Sequence, residues 1–148
     1  MYCGLHSLNN LFQARKLFTR HNIEPLVRQY DKRTFANDYR TLFFGNYDVR
    51  VLIGAINSLG FDVQQIDLYR EDTSLHALPW DRYFGLLINL NASHWFTIKN
   101  LRGIYHNLDS TLRKPMEIGT RDDLIDYLIR LIRRTSKVYL FTVSEQEK

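Results

Sequence analysis

Apolar residues recur at a helical spacing from the start of the chain. Leu5, Leu8, Leu11 and Phe12 fall on one broad face of a helix expected over residues 3 to about 14. Residues 22–32 read as a polar helix, and 33–46 as an irregular, aromatic-rich stretch ending in Gly45-Asn46. Asn46 is placed to N-cap a helix carrying Val49, Leu52, Ile53, Ile56 and Leu59, with Gly60 as its stop. From there the period changes to two, and strands are expected at 61–68, 83–89, 94–99 and 104–109, the last two joined by a turn at 100–103. Thr120, three residues before Asp123, resembles a capping box opening a helix that buries Leu124, Ile125, Leu128, Leu131 and Ile132. An apolar strand at 138–143 closes the pattern. Helices first, then a mostly antiparallel sheet with one late helix, make an α+β architecture.

Composition narrows the class. The 148 residues are 45% hydrophobic and 14% aromatic, enough for one domain over residues 1–148 that buries its own core. Three prolines and seven glycines are scattered and mark no boundary. One cysteine excludes an internal disulfide framework and fits a reducing compartment, the cytoplasm or the nucleus. No stretch approaches the roughly 20 apolar residues that span a bilayer, so no membrane role is expected. The net charge of +4 is spread along the chain, and its densest cluster, Arg130, Arg133 and Arg134, reads as a solvated helix face. Without zinc-finger spacing or an aromatic-basic sheet signature, no nucleic-acid partner is expected. No metal site is expected either, because ligating residues do not cluster at set spacings. His21 and His76 lie in polar segments and receive no role, and the chain is expected to be a monomer.

Cys3 changes the picture. On a helix it lies opposite the leucines, flanked by His6, Ser7 and Asn10, in a first turn whose free N–H groups and dipole favour thiolate. An inert thiol remains the alternative on these residues alone. His6, one turn away, fits a structural hydrogen bond near the helix start.

The hairpin supplies the second candidate. With 100–103 as a four-residue loop, Lys99 pairs with Ile104 and His94 falls directly opposite Asp109. Directly opposed residues share a face at a Cβ separation of about 4.5–5.5 Å, close enough for an imidazole–carboxylate hydrogen bond. His106 faces the other way by alternation. A surface cross-strand pair is the bland alternative. A thiol, a base and a group holding the base, in the order Cys3, His94, Asp109, are the residue types and chain order of papain-like thiol hydrolases.

Three stretches carry a more specific likeness. Cys3-Gly4-Leu5-His6-Ser7-Leu8-Asn9-Asn10-Leu11-Phe12-Gln13 resembles the signature helix of the Josephin family. Ser93-His94-Trp95-Phe96-Thr97-Ile98 and Tyr105-His106-Asn107-Leu108-Asp109-Ser110 resemble its histidine strand and its second-acid strand, and Gly45-Asn46-Tyr47-Asp48-Val49 also matches. The resemblance implies a papain-like deubiquitinating cysteine peptidase without cofactor, acting on ubiquitin and ubiquitinated proteins. By position it makes Cys3 the nucleophile, His94 the general base and then acid, and Asp109 the orienting group. It implies ubiquitin contacts at Val49 and Arg50, Trp95 beside the base as a shield or as core, and Leu59 at the place of an aromatic contact. Residues 20–44 resemble a protruding helical arm over the cleft. The family's oxyanion glutamine lies about five residues before the nucleophile, upstream of Met1, so the expectation is a truncated N-terminus or impaired activity. A catalytically weak or inactive ubiquitin-binding module, or a thiol amidase with another substrate, is the competing expectation.

Overall fold

The computed structural model describes residues 3–14, 17–31, 43–44, 47–70, 74–109 and 111–147; at Cys3, Val27, 29–31, 43–44 and 47–48 it describes the backbone alone. The helices are α1 (Cys3–Leu11), α2 (Arg20–Asp31), α3 (Val49–Ser58) and α4 (Arg121–Arg134). Two short strands, β1 (Phe43–Phe44) and β2 (Tyr47–Asp48), form a hairpin before α3. A six-stranded sheet contains β3 (Phe61–Ile66), β4 (Gly85–Leu90), β5 (His94–Leu101), β6 (Ile104–Asn107), β7 (Met116–Gly119) and β8 (Val138–Glu145). Its order is β3-β8-β4-β5-β6-β7, and each pairing is antiparallel. The expected α+β arrangement, an N-terminal helix on an antiparallel sheet, is the observed one.

Both faces of the sheet are covered, and strand alternation decides which side chain serves which face. Leu87, Trp95, Phe141 and Val143 pack with Leu5, Leu8 and Leu11 of α1 and with Leu52, Ala55 and Ile56 of α3. Leu86, Ile88, Phe96, Ile98 and Leu140 pack with Leu124, Ile125, Leu128 and Leu131 of α4. The expected apolar faces of α1, α3 and α4 are thus the covered ones, with Phe12, Val49, Ile53 and Ile132 half-buried and Leu59 exposed. The Asp123 carboxylate accepts the Thr120 backbone N–H at 2.8 Å, the acid half of the expected capping box.

Several expectations need correction. Asn46, the expected cap, lies outside the described residues; α3 starts at Val49, directly after the Tyr47 and Asp48 pairs of β2. α1 stops at Leu11, earlier than expected. Gln13 takes a left-handed φ of 55°, and Gln13 and Ala14 donate to the Asn10 and Asn9 carbonyls at 3.2 and 2.9 Å. That is a Schellman stop with glutamine where glycine is usual. Ser7, placed on the polar arc, is buried, because α1 is covered by β5 as well as by the apolar core.

The β5–β6 hairpin also differs. Leu101 pairs with Ile104, so the loop is only Arg102-Gly103, at φ 57° and 89°. Two left-handed residues make a turn whose twist matches that of the flanking strands. Lys99 therefore pairs with His106, not Ile104. The shift is two residues, an even number, so each side chain keeps its face. β6 ends at Asn107, leaving Asp109 beyond the strand. Most of the expected arm, residues 32–42, lies outside the described residues; α2 packs on α3 and β2.

Candidate active site

α1 is fixed to β5 by directional bonds. The Thr97 hydroxyl donates to the Ser7 carbonyl at 2.7 Å, and the Lys99 ammonium donates to the Leu11 carbonyl at 2.6 Å. From Ser7 to Leu11 four helical residues advance about 6 Å, and from Thr97 to Lys99 two strand residues advance about 6.6 Å, so the two elements run in step. α1 thus runs along β5 in the same sense, its N-terminal end, opened by Cys3, toward the end of the strand that His94 begins. The Asn10 amide also donates to the Leu108 carbonyl at 2.7 Å, fastening the same helix to the chain just before Asp109. At Gly85 on β4, an added Cβ would collide with the Leu11 side chain, so glycine permits this close approach.

Lys99 does more than anchor. Its ammonium lies 3.4 Å from the Phe84 ring centroid and sits at the C-terminal end of α1, where a cation opposes the helix dipole. Burial lowers its pKa to about 8.

At the other end of β5, His94 Nε2 is 2.8 Å from Asp109 Oδ2. The His94 and Asp109 side chains are 29% and 13% exposed, so a groove can reach them while much of their surface is dry. Asp109 lies on the diagonal of the observed register, not directly opposite His94; diagonal neighbours about 7–8 Å apart are still within reach of long side chains. The expected contact is therefore present, although the register that was expected to produce it is not.

Asp109 is fixed on its other oxygen as well. Oδ1 accepts the Thr111 backbone N–H at 2.9 Å and its hydroxyl at 2.8 Å. Burial pushes the Asp109 carboxyl up, but the hydrogen bonds from His94 and Thr111 outweigh it and hold the group below the ordinary carboxylate range. An ionised carboxylate only accepts, so Nε2 of a neutral His94 must carry the proton and Nδ1 keeps a lone pair. A base with its tautomer set by a carboxylate is what nucleophile activation requires.

The remaining residues fall as follows. Cys3 opens α1, and its side chain is outside the described set. Trp95 is 0% exposed, its ring 5.5 Å from that of Phe141, which is the core alternative of the two expected for it. Val49 and Arg50 open α3, both half-buried, with Val49 against the core. His6 is exposed and borders a groove of about 560 Å³ running along α1 to Leu108, Asp109 and Leu112. His106 is half-buried, with Nδ1 3.0 Å from the Ile104 carbonyl oxygen. Arg130, Arg133 and Arg134 are exposed on α4, as a solvated face should be. No helix among the described residues is long and apolar enough to cross a membrane.

Sequence reasoning missed Asn107, Thr97 and Lys99. Each is a polar residue within an apolar strand pattern, which is the signal that marks a side chain needing a buried partner.

Comparison with known proteins supplies the family. The sequence model of the Josephin family matches residues 1–142. A Josephin-like protein of Drosophila melanogaster is 29% identical over 160 residues, covering 98% of this chain and 71% of that protein. Josephin-2 of Mus musculus is 31% identical and Josephin-2 of Homo sapiens 30% identical over 161 residues, each match covering 99% of this chain and 84% of the relative. The helices and the antiparallel sheet are consistent with the papain-like fold of that family. The chain belongs to the Josephin family, whose members are in general cysteine-type deubiquitinases.

Proposed function

We propose that this chain hydrolyses the isopeptide bond between the C-terminal glycine of ubiquitin and a lysine, using Cys3, His94 and Asp109. The observation that carries the reading is the 2.8 Å contact of His94 Nε2 with a carboxylate held ionised, which leaves Nδ1 as an acceptor. The stepping of α1 along β5 supports Cys3 as the partner of that base. In the proposed reaction Nδ1 takes the Cys3 proton and the thiolate attacks the glycine carbonyl carbon. The imidazolium then returns the proton to the departing lysine amine. Water, deprotonated by the same ring, cleaves the thioester and frees both the glycine carboxylate and the thiol.

The developing oxyanion needs donors, and the Cys3 backbone N–H is one of the first-turn groups of α1 with no intrahelical partner. Val49 and Arg50, at the start of α3, are proposed to contact the body of ubiquitin. Trp95 is proposed to wall the base from beneath, as a buried residue can. The single cysteine supports a reducing cytoplasmic or nuclear setting.

The test is a ubiquitin C-terminal electrophile. A covalent adduct that is lost in Cys3→Ala and suppressed in His94→Ala is expected. Tight ubiquitin binding with no adduct would replace the enzyme by a binding module, and cleavage of small amides indifferent to ubiquitin would replace the substrate.

A further inference from the structure

Asp109 lies where the sheet stops holding the chain. The last ladder bond beside it runs from the Leu108 N–H to the Thr97 carbonyl at 2.9 Å, and β6 has already ended at Asn107. Past that point the Thr111 N–H and hydroxyl hold its carboxylate, and a side chain holds its backbone. Its own backbone N–H donates to Oδ1 of Asn107 at 2.9 Å. That bond settles which way the Asn107 amide faces, since a main-chain N–H needs an acceptor and only the amide oxygen is one. The Nδ2 group points the other way and donates to the Tyr127 hydroxyl at 3.1 Å. Tyr127 stands on α4, the helix that otherwise meets this face of the sheet through apolar side chains.

Asn107 is 6% exposed, so its amide has little water to fall back on if either bond is lost. Burial raises the Tyr127 phenol pKa, which keeps the group a neutral hydroxyl able to accept. A relay of side chains thus reaches from α4 through Asn107 to the backbone of Asp109 and on to His94 Nε2.

We propose that Asn107 and Tyr127 are positioning residues for Asp109, setting through it the tautomer and orientation of His94. The proposal rests on the hydrolase reading above for its catalytic consequence, but not for its structural content. Two measurements separate the two. The first is the ¹⁵N shifts of the His94 imidazole in wild type, Tyr127→Phe, Asn107→Ala and Asp109→Ala. The Nε2–H tautomer should dominate in wild type, lose ground in the first two variants and be lost furthest in the third. The second is the rate of adduct formation with the ubiquitin electrophile. Tyr127→Phe should slow it about 5-fold, the value of one ordinary hydrogen bond, and Asn107→Ala about 10-fold or more, with half-saturating ubiquitin unchanged. In an Asp109→Ala background neither substitution should slow it further. Tyr127→Phe removes one oxygen and serves as the safeguard should Asn107→Ala fold poorly. An unchanged imidazole tautomer in Tyr127→Phe, or equal slowing with and without Asp109, overturns the proposal. A wild type that forms no adduct overturns the enzyme reading instead, while the tautomer measurement still decides the positioning claim.

Discussion

On one face of the sheet, α4 is held by the burial of Leu124, Ile125, Leu128 and Leu131, with the Asn107–Tyr127 contact as a polar link. On the other, α1 buries three leucines but is also bonded at set heights, by Thr97 to the Ser7 carbonyl, by Lys99 to the Leu11 carbonyl and by Asn10 to the Leu108 carbonyl. Apolar burial is non-directional and tolerates sliding; a hydrogen bond at 2.7 Å does not. The face that carries the proposed nucleophile is thus the one whose helix is registered. Apolar burial holds the domain together on both faces, and hydrogen bonds at set heights aim its chemistry.

That separation can be broken experimentally. Leu124→Ala empties a fully buried site between α4 and the sheet and should cost about 2–5 kcal/mol in chemical denaturation. Adduct formation with the ubiquitin electrophile, per folded molecule, should stay at the wild-type rate. Thr97→Val keeps the shape of a fully buried residue but deletes the bond to Ser7. Its stability cost should be only about 1 kcal/mol, yet the adduct rate should fall about 10-fold as α1 loses a fixed height on β5. Equal ratios of rate loss to stability loss in the two variants would erase the distinction.

A smaller effect sharpens the comparison at the far end of β5. Asp109 is held below the ordinary carboxylate range, so the folded state binds its proton less tightly than the unfolded chain does. The stability this contributes is present above the unfolded value near about 3.9 and is lost as pH falls through the folded value. Asp109→Asn should therefore unfold more easily than wild type at neutral pH, with the gap closing below about pH 4. A gap that stays constant down to pH 3 would contradict the contacts from His94 and Thr111.

The helices and the inner strand β8 were legible because their patterns are strong. Leu5, Leu8 and Leu11, the α3 face, the Thr120–Asp123 cap and the apolar run at 138–143 each repeat one local preference over a full element. The short edge strand β7 was not legible, since Met116–Gly119 is half-exposed and shows no alternation. The two-residue hairpin was missed because Arg102 is a poor advertisement for a left-handed turn, and Asn100-Leu101-Arg102-Gly103 reads as one polar loop. The partnership of His94 and Asp109 survived that error by parity, as a two-residue shift keeps both on one face. What no local pattern carried was the height of α1 on β5 and the Asn107–Tyr127 relay, for both join residues far apart in the chain.

The claim on which the rest depends is that His94 draws the proton from the Cys3 thiol. Because Cys3 is the lone cysteine, alkylation by iodoacetamide reports on it alone. Measured from pH 5 to 10, the wild-type rate should remain high well below the ordinary thiol midpoint of about 8.5, and this low-pH reactivity should vanish in His94→Ala. Identical curves for the two proteins, each rising only near that midpoint, would contradict the account.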